Sequence, residues 1–110
     1  MPKGASAMTK RGVRGSRTGR PVMALLDLLG RRWTLRIVWE LREDRALTSR
    51  ALRTACDEAS PTVLNERLKE LREAGFVGLG EAGYTLTPLG KELSAQVMPL
   101  HSFAERWSKR

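Results

Sequence analysis

The stretch from Ser60 to Phe76, SPTVLNERLKELREAGF, constrains this chain more than any other because it carries its own start and stop. Ser60 can accept a hydrogen bond from the free N–H groups of a first helical turn. Pro61 suits the first helical position, where a missing N–H costs nothing. Leu64, Leu68 and Leu71 recur on one face, and Thr62, Glu66, Lys69 and Glu73 lie nearly opposite, with Asn65 and Arg72 on a flank. Gly75 ends the helix. Arg67, Lys69 and Arg72 cancel Glu66, Glu70 and Glu73, so the helix is electrically neutral.

Its neighbours fix what it can belong to. Upstream, Thr48 is placed to cap a short helix, TSRALRTAC, that buries Ala51, Leu52 and Cys56. Asp57-Glu58-Ala59 is the tight turn between the two helices. Downstream, Phe76, Val77 and Leu79 form one short strand and Tyr84, Thr85 and Leu86 another, around Gly80-Glu81-Ala82-Gly83. Two further helices come first. PVMALLDLLG puts Val22, Leu25, Leu26 and Leu29 on one face and stops at Gly30. The second starts at Arg31-Arg32-Trp33 and aligns Trp33, Ile37, Val38 and Leu41. Thr87 and Pro88 open the last helix. Pro99 is expected to interrupt it, with a final piece carrying Leu100, Phe103 and Trp107 on one face. The order predicts a mainly α domain with one two-stranded antiparallel hairpin, a winged helix-turn-helix over residues 21–110. A small core and apolar end helices favour a dimer.

The chain has 110 residues and a net charge of +8, which favours an acidic partner. Six of the positive charges, Lys3, Lys10, Arg11, Arg14, Arg17 and Arg20, lie in residues 1–20, a glycine-rich segment without acids. The remainder has 14 basic and 12 acidic residues. The basic tail reads either as a solubilising extension or as a flexible arm on DNA phosphates or in the minor groove. It lacks the apolar stretch of a secretory signal, and no apolar run reaches the ~20 residues that span a bilayer. One cysteine and one histidine supply too few soft ligands for a metal cluster. No P-loop, dinucleotide glycine motif or nucleophile–base pairing is visible, so no enzyme and no cofactor is expected.

Three segments together, Gly30–Trp33 (G-x-x-W), Ser60–Leu71 (S-P-x-x-L-x-x-R-L-x-x-L) and Tyr84–Gly90 (Y-x-L-T-x-x-G), resemble the HxlR-type regulators. These are bacterial winged-helix transcription factors related in fold to the MarR family. The resemblance runs from about Pro21 to the end. It implies a cytoplasmic, nucleoid-associated homodimer, whose first and last helices form much of the interface. Leu25, Leu29, Leu100, Phe103 and Trp107 are the interface candidates. It also implies a DNA-binding regulator, more often a repressor, and leaves room for an unknown small-molecule effector. Carried over by position, Ser60, Thr62, Asn65, Glu66, Arg67 and Lys69 fall where such proteins meet double-stranded DNA; outside that carry-over, Thr48 is a further candidate contact, and Arg11, Arg14 and Arg17 are the candidate contacts of the basic tail.

The chemistry of these residues fits unevenly. Asn65 can pair with adenine and Glu66 can accept from cytosine N4. Arg67 suits guanine, phosphate or an intramolecular ion pair, and Lys69 suits phosphate. Two departures from the family stand out. The segment Gly78–Gly83 is short and has no Lys or Arg, where the family usually carries a longer, basic wing, so the tail is the candidate substitute. Redox-sensing members often carry a cysteine just before the first helix, and Gly19-Arg20-Pro21 has none. Cys56 is the redox candidate that remains, against the reading of a small buried apolar residue, which its acidic neighbours favour. Trp33 and Trp39 read as stacking platforms or as core and interface residues. Two readings compete with the specific regulator: a winged-helix protein-interaction module and a non-specific DNA architectural protein.

Overall fold

The computed structural model describes residues 20–110. Among them, five helices and one hairpin follow in the order α1 (Pro21–Leu29), α2 (Thr34–Glu40), α3 (Ser49–Ala55), α4 (Pro61–Glu73), β1 (Val77–Gly80), β2 (Gly83–Leu86) and α5 (Pro88–Ser108). The strands are antiparallel, with Val77 opposite Leu86 and Gly80 opposite Gly83, which leaves Glu81 and Ala82 as a two-residue tip. Helix α2 is the hub, packing against α1, α3, α4 and α5. Its Ile37, Val38 and adjoining Leu41 are fully buried, beside Leu52 of α3 and Leu64, Leu68 and Leu71 of α4. Val77, Leu86 and Leu93 extend this core under the hairpin and α5.

Side-chain caps set three helix starts. The Thr48 hydroxyl accepts from Ala51 N (3.1 Å), the Ser60 hydroxyl from Val63 N (3.4 Å) and the Thr87 hydroxyl from Gly90 N (3.0 Å). Thr87 also donates to the Gly75 carbonyl at 2.6 Å, tying the start of α5 to the end of α4. Gly75 itself sits at φ 88, the left-handed geometry that reverses the chain after α4.

Four expectations change. The second helix begins at Thr34, not Arg31, because Trp33 takes a left-handed conformation at φ 76 and turns the chain between α1 and α2. Its ring packs on the core, which offsets a backbone cost of about 1–2 kcal/mol. Helix α1 is apolar except at Asp27, and the face it buries is Ala24 and Leu28. Leu25 and Leu29 are half-buried against the core, whereas Val22 and Leu26 point outward. Pro99 does not interrupt the last helix, which runs unbroken for 21 residues. Pro99 and Ala95 are both exposed, so water can satisfy the carbonyl that loses its N–H partner. Finally, the hairpin gains a third partner. Leu47 N donates to Tyr84 O at 3.0 Å and Tyr84 N to Leu47 O at 2.7 Å, pinning β2 to the segment just before α3.

Candidate nucleic-acid interface

The helix pair α3–α4 positions the candidate residues. Cys56 and Ala59 are buried at the turn between them. Arg36 of α2 clamps that turn, donating to the Ala55 carbonyl at 2.6 Å, to Glu40 at 2.9 Å and to Asp57 at 3.4 Å. The hydrogen bond to Glu40 raises the Arg36 guanidinium above its ordinary pKa, with smaller help from the Asp57 charge. Arg53 of α3 braces the same turn through the Ala59 carbonyl at 3.2 Å. Asp57 and Glu58 both take left-handed backbone geometry there, at φ 55 and 60.

With Leu64, Leu68 and Leu71 turned inward, α4 exposes Thr62, Asn65, Glu66 and Lys69. Asn65 leans toward α3, where it lines a groove with Ser49, Arg50, Arg53 and Pro61. Lys69 and Arg72 line a second hollow with Val77 and Gly78 of the hairpin. At the start of α4 Pro61 has no N–H and the Val63 N–H donates to the Ser60 hydroxyl, which leaves the Thr62 N–H to meet a phosphate oxygen. Thr48 is exposed but commits its hydroxyl to capping α3. Arg67 differs from the other candidates. Its side chain is only 14 % exposed and pairs with Glu70 at 3.4 Å, with Glu66 at 4.0 Å. Of the roles open to it in the sequence, this geometry favours the intramolecular ion pair. Arg11, Arg14 and Arg17 lie outside the described residues.

Arg50 and Arg53 went unmarked by sequence reasoning. Both are exposed on α3 beside Asn65. Their spacing of three, with buried Leu52 between them, places them on the solvent side of an amphipathic turn, and that was the available signal.

The hairpin tip is Glu81-Ala82, and Leu79 stands exposed on β1. Cys56 is fully buried in the core, and burial raises its thiol pKa against the opposing pull of Arg36. Trp39 is held between the Arg42 guanidinium at 3.9 Å and the His101 ring at 4.7 Å, so it bridges α2 and α5. Trp33 packs on the core with Arg32 at 5.3 Å. On the two end helices, Val22 (56 %), Leu26 (54 %), Leu100 (58 %), Phe103 (53 %) and Trp107 (56 %) are exposed. The α5 stripe that buries Leu93 and half-buries Val97 continues, uncovered, through Leu100 and Trp107. No described helix is long and apolar enough to cross a membrane.

Comparison with known proteins agrees with this geometry. The model of a family described as HxlR-like helix-turn-helix matches residues 28–110. The crystal structure of quinone-bound YodB from B. subtilis is similar, with 29% sequence identity and a TM-score of 0.71. The match covers 77% of this chain and 96% of YodB. Among curated proteins, none matches significantly.

Proposed function

This chain belongs to the HxlR-like helix-turn-helix family of DNA-binding transcriptional regulators, and from that premise we propose that it is a sequence-specific repressor acting as a homodimer. The observation that carries the reading is the capped helix α4. It stands on a braced α3 and turns Thr62, Asn65, Glu66 and Lys69 outward. Base edges are read by such short polar groups, and affinity comes from phosphate contacts elsewhere. The neutrality of α4 is therefore compatible with reading DNA. Charge enters from Arg50, from Lys69 and Arg72 beside the hairpin, and from the basic tail.

The exposed apolar side chains of α1 and of α5 support the homodimer. Five large apolar side chains on these two helices are each more than half exposed, and apolar surface of this kind is commonly covered by a partner. A two-fold pair would present two α4 helices to successive major grooves. The quinone in the YodB structure supports a small-molecule effector as part of the same reading. A sealed Cys56 argues that such an effector would act here without a thiol adduct. The reading puts the protein at the nucleoid of a bacterial cytoplasm and gives it no catalytic role.

Selection of bound sequences from a random duplex pool tests the proposal. Two-fold symmetric sites with half-sites about one helical turn apart are expected. Binding with no sequence preference would point to an architectural protein, and no binding at all to a protein-interaction module. Placing the selected site in a promoter then distinguishes repression from activation.

A further inference from the structure

A chain of alternating charges joins the first helix to the reading helix. Arg31, just after α1, lies 3.7 Å from Asp27 of α1 and donates to Glu70 Oε2 of α4 at 3.4 Å. Glu70 Oε1 faces Arg67 at 3.4 Å, and Arg67 reaches Glu66 at 4.0 Å. Glu70 thus gives each carboxylate oxygen to a different arginine. Asp27, Arg31, Glu70 and Arg67 all keep less than a third of their side-chain surface in contact with solvent, so salt screens them weakly. The last member, Glu66, is exposed among the candidate base contacts.

The geometry of the helices makes this chain more than surface decoration. Helix α1 packs on α2, so the Arg31–Glu70 bridge spans from the end of α1 to the flank of α4. Arg31 is itself held by its backbone. Its N–H donates to the Leu28 carbonyl at 3.3 Å and its carbonyl accepts from Thr34 N at 3.2 Å. The Gly30 before it is crowded, because a Cβ there would lie 3.1 Å from the Leu26 carbonyl oxygen. From this fixed backbone the guanidinium, between Asp27 and Glu70, meets the flank of a helix whose opposite flank carries Asn65. Rotating α4 about its axis would lengthen the Glu70 contact and swing Asn65 and Glu66 together.

We propose that Arg31 is a positioning residue for DNA reading: by bridging Asp27 and Glu70 it fixes the rotation of α4 relative to α1, and so couples the subunit seam to the base-contacting face. This rests on the DNA-reading role proposed above for α4. Arg31 acts through Glu70 and touches no base.

The test compares wild type with Arg31→Met, Glu70→Gln, the double variant of both, and the conservative Arg31→Lys. Each is titrated with the selected operator and with random duplex across a salt series, well below its melting temperature. Arg31→Met and Glu70→Gln should each lower the operator-to-random affinity ratio about tenfold while leaving the salt slope unchanged, and the double variant should lose no more than either of them. Arg31→Lys keeps a cation between Asp27 and Glu70, so it should retain much of the ratio. The double variant, which removes both charges of the bridge together, stands in if a single variant fails to fold. Unchanged ratios in all variants overturn the inference. So does a loss confined to Arg31→Met that falls equally on operator and random duplex with a shallower slope, because that marks a direct phosphate contact. If wild type itself shows no preference, the reading of α4 fails and this inference falls with it. A discriminating wild type with indifferent variants sinks the inference alone.

Discussion

The backbone of Gly90, in the first turn of α5, lies against the carbonyl of Phe76, so that a Cβ at position 90 would stand 2.0 Å from that oxygen. Both partners are backbone-fixed, and neither can yield easily. The Phe76 carbonyl already accepts from Thr87 N at 3.0 Å, and the start of α5 is capped by Thr87. Gly90→Ala should therefore destabilise the protein by about 2–3 kcal/mol, as overpacking does. Urea unfolding checks this, and an unchanged midpoint would mean that α5 shifts freely.

Asn65 is the cleanest test of base reading, because it is exposed beside the α3 groove and makes no cap. Asn65→Ala should cost about 1–3 kcal/mol on the selected site and relax preference at one position of each half-site. Equal loss on every sequence would assign it to the backbone instead.

The hairpin carries no cation from Val77 to Leu86, whereas residues 1–20 carry six. Removing residues 1–20 should weaken DNA binding and lower the salt slope by about 0.9 for each phosphate the tail neutralises. A slope that does not move would free the tail of any DNA role.

Trp107 and Phe103 extend past the core on α5. Trp107→Glu should shift the proposed homodimer toward monomer. Removing an aromatic anchor costs about 2 kcal/mol or more, and a two-fold interface feels the change twice. Sedimentation over a concentration series reads this directly, and a wild type that stays monomeric at high concentration would refute the dimer.

Burial raises the Cys56 thiol pKa, so the folded protein disfavours the thiolate. Its contribution to stability is full below the ordinary thiol value of about 8.5 and is lost as pH rises toward the folded value, where the unfolded chain ionises first. Alkylation of the native protein at pH 7 should be more than about 100-fold slower than in denaturant, consistent with an opening of roughly 3 kcal/mol. Fast native labelling would restore Cys56 as a redox candidate.

What the sequence made legible was the chemistry of neighbours in the chain. The caps at Thr48, Ser60 and Thr87, with Pro61 and Pro88 behind two of them, mark helix starts through groups three residues apart. The leucine stripe of α4 was equally plain, because its other face is polar. Helix α1 offered no such contrast. With Ala24 and Leu28 on one side and Val22 and Leu26 on the other, periodicity alone cannot choose the buried face. Arg31 and Glu70 are 39 residues apart, and Leu47 pairs with Tyr84 across a comparable gap, so both contacts exist only once the fold is formed. Trp33 breaks a local rule that packing overrides, and Pro99 sits where solvent tolerates it. At the candidate reading face, the sequence supplied the exposed set on α4 but could not choose among the roles of Arg67. That choice depends on a carboxylate one turn along, itself held by an arginine from the end of α1.

The sealed sulfhydryl has a practical side. Cys56 is the one cysteine in the chain, so the folded protein offers maleimide dyes almost nothing to hold. A cysteine introduced at Glu81, on the exposed hairpin tip, would be a single addressable handle without removal of the native thiol. A fluorophore there would test whether the hairpin senses duplex, and in the proposed homodimer a pair of them would measure the span between two hairpins.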